Sequence, residues 1–291
     1  MYEFEKIENK EFQWGGLYMP AKVKPCNASG LRLAVFGSTN AGNLVIRTLL
    51  KYENKYPGRL NFVGVATDDP VDPDTRISVA KRIWGKYNPS EMTALRDKVI
   101  HTCIEAGIPC YTGGVKNNLF RDIFSKWAPE LVIMCCFGQK INKQLYDYPV
   151  YGMYNFHPSD LAAQIGSGPK PFEGTMQNGR STSRMVIHQV NEIIDGGPLV
   201  AISPPVNICL PDGSYPESIL SLQEKIPAIS GWMSMELVIE VLKKKDKSET
   251  GRIGYQDLER RIPEKIRIKL LEPVTNDLSE LYALPDHDCL L

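Results

Sequence analysis

The run Glu130-Leu-Val-Ile-Met-Cys-Cys-Phe137 is apolar without alternation. A strand that shows one face to water alternates, so this run predicts a central strand of a parallel sheet covered by helices on both faces. The segments around it repeat one unit. Leu31-Arg-Leu-Ala-Val-Phe36 reads as a strand, Gly37 to Gly42 as a turn and Leu44 to Leu50 as a helix. Strands at Leu60-Asn-Phe-Val-Gly-Val-Ala66 and Ile108-Pro-Cys-Tyr111 and helices at Leu119–Trp127 and Asn142–Tyr148 follow, leading into a strand at Met153–His157. Strand and helix in this alternation give an α/β class, a doubly wound, mostly parallel sheet.

The remaining segments fall around this core. Thr67-Asp-Asp-Pro-Val-Asp-Pro-Asp74 cannot continue a sheet interior and reads as a loop, while Ile77–Tyr87 and Glu91–Gly107 read as helices. Gly166-Ser-Gly-Pro-Lys-Pro171 breaks regular structure and opens a helix through Met176; Ser183–Val190 and Gly197–Ser203 read as strands. Ile229, Met233, Leu237 and Val241 recur every fourth residue and mark a helix packed on the sheet. Residues 1–30 lack periodicity and read as an irregular leader or an edge segment; from Lys243 the chain is charged and irregular. The division expected is 1–30 leader, 31–210 core domain and 211–291 helical and irregular C-terminal extension.

Acidic and basic residues balance at 34 each, so no global charge draws the chain to nucleic acid or to a membrane surface. No apolar run reaches the roughly 18 residues of a membrane span, and Met-Tyr-Glu-Phe-Glu-Lys lacks the order of a secretory signal, so the expected location is cytoplasmic. Cys135 and Cys136 are adjacent and no C-x-x-C occurs; buried thiols are expected rather than disulfides or a structural zinc.

The chemistry concentrates in Tyr151-Gly-Met-Tyr-Asn-Phe-His-Pro-Ser-Asp160. On a strand, Asn155 and His157 share a face, and an amide beside an imidazole at a strand's carboxyl end can donate to an oxygen that gains negative charge. The loop Asn191–Gly197 delivers Asp195, and His188, in mid-strand, reads as structural. The turn at Gly37 to Gly42 has the spacing G-x-x-x-x-G without a following Lys-Ser/Thr, so it is neither a triphosphate nor a nicotinamide loop. Lys81, Arg82 and Lys86 read as a solvated helix face, and Arg260, Arg261, Lys265, Arg267 and Lys269 form a basic stretch.

Asn155-x-His157-Pro-Ser, Gly166 and Pro169, His188-Gln189 and Asp195-Gly196-Gly197, preceded by Phe137-Gly-Gln and Tyr151-Gly, resemble in order and spacing the formyltransferase family that uses 10-formyltetrahydrofolate. The likeness covers residues 31 to 205. It implies a Rossmann-like formyltransferase core, with the family's catalytic Asn, His and Asp on Asn155, His157 and Asp195. It further implies pterin contacts at Phe137, Gly138, Gln139, Ile141, Ile193, Gly196 and Gly197, an acceptor side at Gly37, Ser38, Thr39 and Asn40, and no metal. There are departures: Asp160-Leu-Ala162 occupies the place where many relatives carry Leu-Leu-Pro, the segment from Asp68 to about Tyr87 is longer, and no run of alternating strands after Leu242 could build the basic barrel domain of the methionyl-tRNA formyltransferases.

The same resemblance implies transfer of a formyl group to a primary amine, with Asn155 and protonated His157 stabilising the oxygen that gains charge and Asp195 accepting the amine's proton. The acceptor expected is a small, anionic amine, most of all an amino sugar carried on a nucleotide diphosphate, because no RNA-binding module follows Leu242. Charged methionyl-tRNA is the rival if the basic stretch replaces that module. A formyltetrahydrofolate hydrolase uses a similar triad, but those relatives carry a regulatory domain for which residues 1–30 leave no room. A non-catalytic nucleotide-binding module is disfavoured by the intact triad. Oligomeric state, a homodimer included, is left open.

Overall fold

Two-sided burial of the parallel strands decides the layer order. The computed structural model describes residues 2–8, 14–68, 90, 98–256 and 261–275. Five parallel strands form the centre: β3 (Leu31–Gly37), β4 (Leu60–Thr67), β5 (Cys110–Gly113), β6 (Leu131–Cys135) and β7 (Met153–His157). With β1 (Tyr2–Glu8), β2 (Trp14–Pro20), β9 (Val186–Gln189) and β10 (Leu199–Ile202) they make one sheet in the order β1-β2-β5-β4-β3-β6-β7-β9-β10. Both flanks are antiparallel. β8 (Thr182–Ser183) and β11 (Val206–Asn207) pair separately.

Alternation along each central strand sorts the core into two apolar clusters. Leu33, Val35, Leu131, Ile133 and Cys135 pack with α1 (Thr39–Lys55), α2 (Lys98–Ala106) and α7 (Ser230–Asp246). Ala34, Phe36, Val132 and Met134 pack with α3 (Asn118–Trp127) and α4 (Lys143–Tyr146). Helices therefore cover both faces, as the non-alternating run requires. On β7, Tyr154 and Phe156 face the first cluster and Met153 the second, which leaves Asn155 and His157 on the Met153 side.

The first 30 residues are more regular than their sequence suggests. β1 and β2 form a hairpin that extends the sheet beyond β5. Gly15 and Gly16 of β2 leave room for aromatic rings. A Cβ on Gly15 would lie 2.4 Å from the Tyr111 hydroxyl oxygen, and one on Gly16 would lie 2.5 Å from the Phe4 ring. Other boundaries move too. The strand expected at Ile108–Tyr111 is β5, two residues later, and the Ser183–Val190 run splits into β8 and β9. The loop after Asp68, the helix at Ile77–Tyr87 with Lys81, Arg82 and Lys86, residues 91–97 and Arg260 lie outside the described residues. Cys26, expected buried, is an exposed thiol, whereas Cys103, Cys110, Cys135 and Cys209 are buried.

The C-terminal segment shares the core. α6 (Leu220–Lys225), α7 and α8 (Glu264–Leu271, within the stretch expected to be irregular) contribute Leu222, Trp232, Met233, Val241, Ile266 and Leu270 to the first cluster. α7 lies close on α1, since a Cβ on Gly231 would stand 2.6 Å from Thr48 Oγ1. This packing also buries a charge-bearing group. Lys225 is 1% exposed, donates to the Glu272 carbonyl, and is pushed down to about 8 by burial.

Two outcomes follow for stability. A Cβ at Gly64 would lie 2.2 Å from the Trp127 ring, so Gly64→Ala is expected to cost about 1–3 kcal/mol by overpacking in urea titrations. For Lys225 the native pKa lies below the unfolded value of 10.5, so the native state holds fewer protons between about 8 and 10.5 and stability must rise with pH across that window. Relative to Lys225→Met, the wild type should gain up to about 1.4 kcal/mol per pH unit there, and a pH-independent difference would refute the account.

Candidate active site

β7 carries Asn155 and His157 to the carboxyl ends of the parallel strands, where open α/β sheets leave a crevice. Antiparallel pairing with β9 sets Asn155 directly opposite His188. The loop after β9 turns back through an Asn191 side chain that accepts from the Ile193 N–H at 3.0 Å, and Gly196 N–H donates to the Ile193 carbonyl at 3.1 Å. Its backbone presses on β9 so closely that a Cβ at Gly197 would lie 1.7 Å from the Gln189 carbonyl oxygen. Asp195 takes a left-handed φ of 53° and aims its carboxylate inward.

Three side chains converge on Asp195 Oδ1: Asn155 Nδ2 at 3.3 Å, His157 Nδ1 at 3.5 Å and His188 Nε2 at 3.4 Å. The amide is oriented with nitrogen toward Asp195, because the flipped rotamer would set two acceptor oxygens against each other. His157 Nε2 lies 2.7 Å from the Gly166 carbonyl and must donate to it. His157 thus has an acceptor oxygen facing each ring nitrogen. His188 Nδ1 donates to the Gln189 carbonyl at 3.0 Å, while Nε2 stands 3.1 Å from Asn155 Nδ2. When neutral, that nitrogen accepts from Asn155; when protonated, it donates to Asp195.

Burial pushes the Asp195 carboxyl up, but the hydrogen bond from His188, the attraction of His157 and the Gly168 N–H at 2.7 Å together hold it below the ordinary carboxylate value. It is thus an anion in a dry setting, surrounded by donors. The breaker loop supplies both backbone contacts, Gly166 C=O to His157 and Gly168 N–H to Asp195. Gly166 (φ 70°) and Gly168 (φ 86°) are left-handed, and a Cβ on Gly166 would lie 2.7 Å from both Pro171 O and Ser159 Cβ.

The residues expected around a ligand divide. Ile193, on the Asp195 loop, and its neighbour Ile194 are each 60% exposed, an apolar surface beside a buried carboxylate that suits a flat heteroaromatic ring. Gly196 is exposed as well, and Gly197 is buried. Phe137 is half-buried against Phe36, with ring centroids 5.3 Å apart, and Ile141, at 4% exposure, has its side chain in the core, so that only its backbone is left for a ligand. The Gln139 amide is spent on protein: Nε2 donates to Asp68 Oδ1 (2.7 Å) and Gly113 O (2.8 Å), and Oε1 accepts from Val115 N–H (2.9 Å).

The turn expected on the acceptor side is enclosed. Gly37 is buried, Ser38 and Thr39 are 0% exposed and Asn40 is 9% exposed. Gly42 packs on Gly37, a Cβ there lying 2.6 Å from the Gly37 carbonyl carbon. Ser38 Oγ accepts from Asp68 N–H at 2.8 Å, and Gln223 Nε2 from α6 reaches Thr39 Oγ1 at 3.5 Å and Cys136 Sγ at 2.9 Å. The Ser38 and Thr39 hydroxyls bond to the protein itself, and Gly37 and Gly42 pack backbone on backbone. His188, structural by its mid-strand position although it stands in one of the motifs that carry the resemblance, is brought to the site by its register opposite Asn155.

Comparison with known proteins gives the same direction. The formyl transferase family model matches residues 92–210. A methionyl-tRNA formyltransferase of Syntrophus aciditrophicus is 31% identical over 87 residues, 30% of this chain and 27% of the relative; one from Anaplasma marginale is 28% identical over 137 residues, 47% of this chain and 40% of the relative. The chain thus spans less than half the length of these curated relatives. Among solved structures, phosphoribosylglycinamide formyltransferase from Bacillus halodurans shares the fold at a TM-score of 0.53 and 18% identity, covering 73% of this chain and 95% of its own. A formyltetrahydrofolate deformylase from Pseudomonas syringae pv. tomato does so at 0.53 and 15%, covering 75% and 63%. Residues 92–210, which carry Asn155, His157, His188 and Asp195, are thus the part of the chain that is similar to the formyl transferases.

Proposed function

We propose that this protein transfers a formyl group from 10-formyltetrahydrofolate to the primary amine of a small acceptor, an amino sugar carried on a nucleotide diphosphate being the first choice. The observation that carries the reading is the convergence of Asn155, His157 and His188 on the buried carboxylate of Asp195. The folate would supply the formyl carbon. As the amine nitrogen bonds to that carbon and the bond to N10 breaks, charge develops on the formyl oxygen and a proton must leave the amine.

Charged His157 and the Asn155 amide would donate to that oxygen. In the arrangement described, one amide hydrogen points to Asp195 and, when His188 is neutral, the other to His188 Nε2, so the oxygen would take over one of these bonds. Asp195, kept anionic by its neighbours, would accept the amine's proton directly or through a water, and N10 of the leaving folate is where that proton is finally needed. Ile193 and Ile194 would cover the pterin, and the Phe137–Gln139 loop would border it.

Methionyl-tRNA is the second acceptor to consider, since the curated relatives carry that name. Charge pairing weighs against it. Arg261 bonds Glu236 at 2.9 Å and Glu240 at 2.7 Å, Lys269 bonds Glu272 at 3.2 Å and Lys245 bonds Glu130 at 2.6 Å, so much of the C-terminal basic charge is compensated. A protein surface that binds tRNA offers unpaired cations to its phosphates.

Tetrahydrofolate release, followed spectroscopically with nucleotide-linked amino sugars, glycinamide ribonucleotide, methionyl-tRNA or no acceptor, tests the assignment. Turnover is expected with one small amine; release without acceptor would establish a hydrolase instead. Asn155→Ala should lower the rate about 10²–10³-fold with folate binding retained, and near-normal turnover by both Asn155→Ala and Asp195→Ala would remove the proposed chemistry. Binding of methionyl-tRNA is expected to be absent at physiological salt; tight, steeply salt-dependent binding would reverse the choice of acceptor.

A further inference from the structure

We infer that Asp68, outside the proposed reaction centre, is the positioning residue for the loop that borders the formyl donor. The inference rests on the folate reading above. Asp68 stands just past β4, 2% exposed, where the carboxyl ends of the parallel strands meet the crevice. Its two carboxylate oxygens grip consecutive residues of the loop after β6: Oδ2 accepts from the Gly138 N–H at 2.6 Å and Oδ1 from the Gln139 amide at 2.7 Å.

These are charge-assisted bonds made away from bulk water, where geometry is tightly held. Burial raises the carboxyl to about 6, and the Gln139 and Gly138 donors restrain that rise. The surrounding bonds lock Asp68 in turn. Its own N–H donates to Ser38 Oγ at 2.8 Å, which ties it to the turn after β3. Gln139 extends the network to β5 through Gly113 O and Val115 N–H. Three strand ends therefore converge on Phe137–Gln139.

The loop also needs this support. Cys136, directly before it, has a left-handed φ of 55°, a conformation that a residue with a side chain adopts only when its surroundings hold it there. Half-buried Phe137 and Gly138 follow, so the loop is fixed from inside while its outer side stays accessible. An asparagine at 68 could accept only one of the two bonds, and its amide hydrogens would oppose the other donor. The loop would shift, and the donor would lose affinity with the reaction centre on β7 and β9 left as it is.

The test is tetrahydrofolate binding by the full chain, followed by intrinsic fluorescence, with donor KM, acceptor KM and kcat measured for Asp68→Asn, Gln139→Leu and the double variant. Asp68→Asn should raise the tetrahydrofolate Kd and the donor KM about tenfold, with acceptor KM and saturated kcat moving less than about twofold. The double variant should bind no more weakly than the weaker single one, because both substitutions break one connection. Equal movement of donor and acceptor constants, additive losses, or unchanged donor binding would overturn the inference. If Asp68→Asn fails to fold, Gln139→Leu alone decides: a weakened donor supports the connection and an unchanged one overturns it. A wild type that binds no tetrahydrofolate would overturn the folate reading and this inference together, whereas binding that is indifferent to both substitutions overturns the inference alone.

Discussion

The antiparallel pairing of β9 with β7 is the constraint on which the site depends. Register fixes His188 opposite Asn155, and the connection leaving β9 then has only a few residues in which to return Asp195 to the same spot. Side chains alternate along a strand, so a slip of one residue would turn His188 to the far face. The slip is opposed by apolar packing: Phe156 and Ile187, paired across the strands, lie in the cluster on the opposite face. The hydrophobic core thus specifies a polar site that contributes nothing to the core.

Around that register the protein uses backbone wherever it can. The Gly166 carbonyl and the Gly168 N–H hold His157 and Asp195, and the left-handed conformations of both glycines make this approach possible. A backbone clamp has fewer rotamers to lose than a side-chain clamp, which favours a preorganised charge arrangement. The cost falls on Asp195, a carboxylate kept ionised in a nearly dry place, and each neighbouring donor reduces it.

The C-terminal helices change the surroundings of this centre. α6 places Gln223 over Thr39 and Cys136, and α7 packs on α1, so the turn after β3 is closed from the side by residues distant in sequence. Beside the candidate centre lies the loop following His157. There Asp160, at the position of the departure from the usual Leu-Leu-Pro, caps a short 3-10 turn at Leu161–Ala163 and faces Arg184 at 3.8 Å. A charged pair in place of apolar residues makes a different border for a substrate.

Much of the fold was legible in the sequence, since period and burial are local properties. The non-alternating run Glu130–Phe137, which contains the strand Leu131–Cys135, and the class of the sheet follow from the apolar pattern. The resemblance singled out Asn155, His157 and Asp195, and the structure brings these three together. What the sequence could not decide depends on contacts between distant segments. Residues 1–30 could be an irregular leader or an edge segment by their pattern, and the fit of the Tyr111 and Phe4 rings over Gly15 and Gly16 is a tertiary contact. His188 looks like a core histidine until β9 pairs with β7. Gln139 lies in the loop that the resemblance sets beside the pterin, and its side-chain donors and acceptor bond Asp68, Gly113 and Val115. A side chain's residue type states which bonds it can make; only tertiary structure decides which partners arrive to make them.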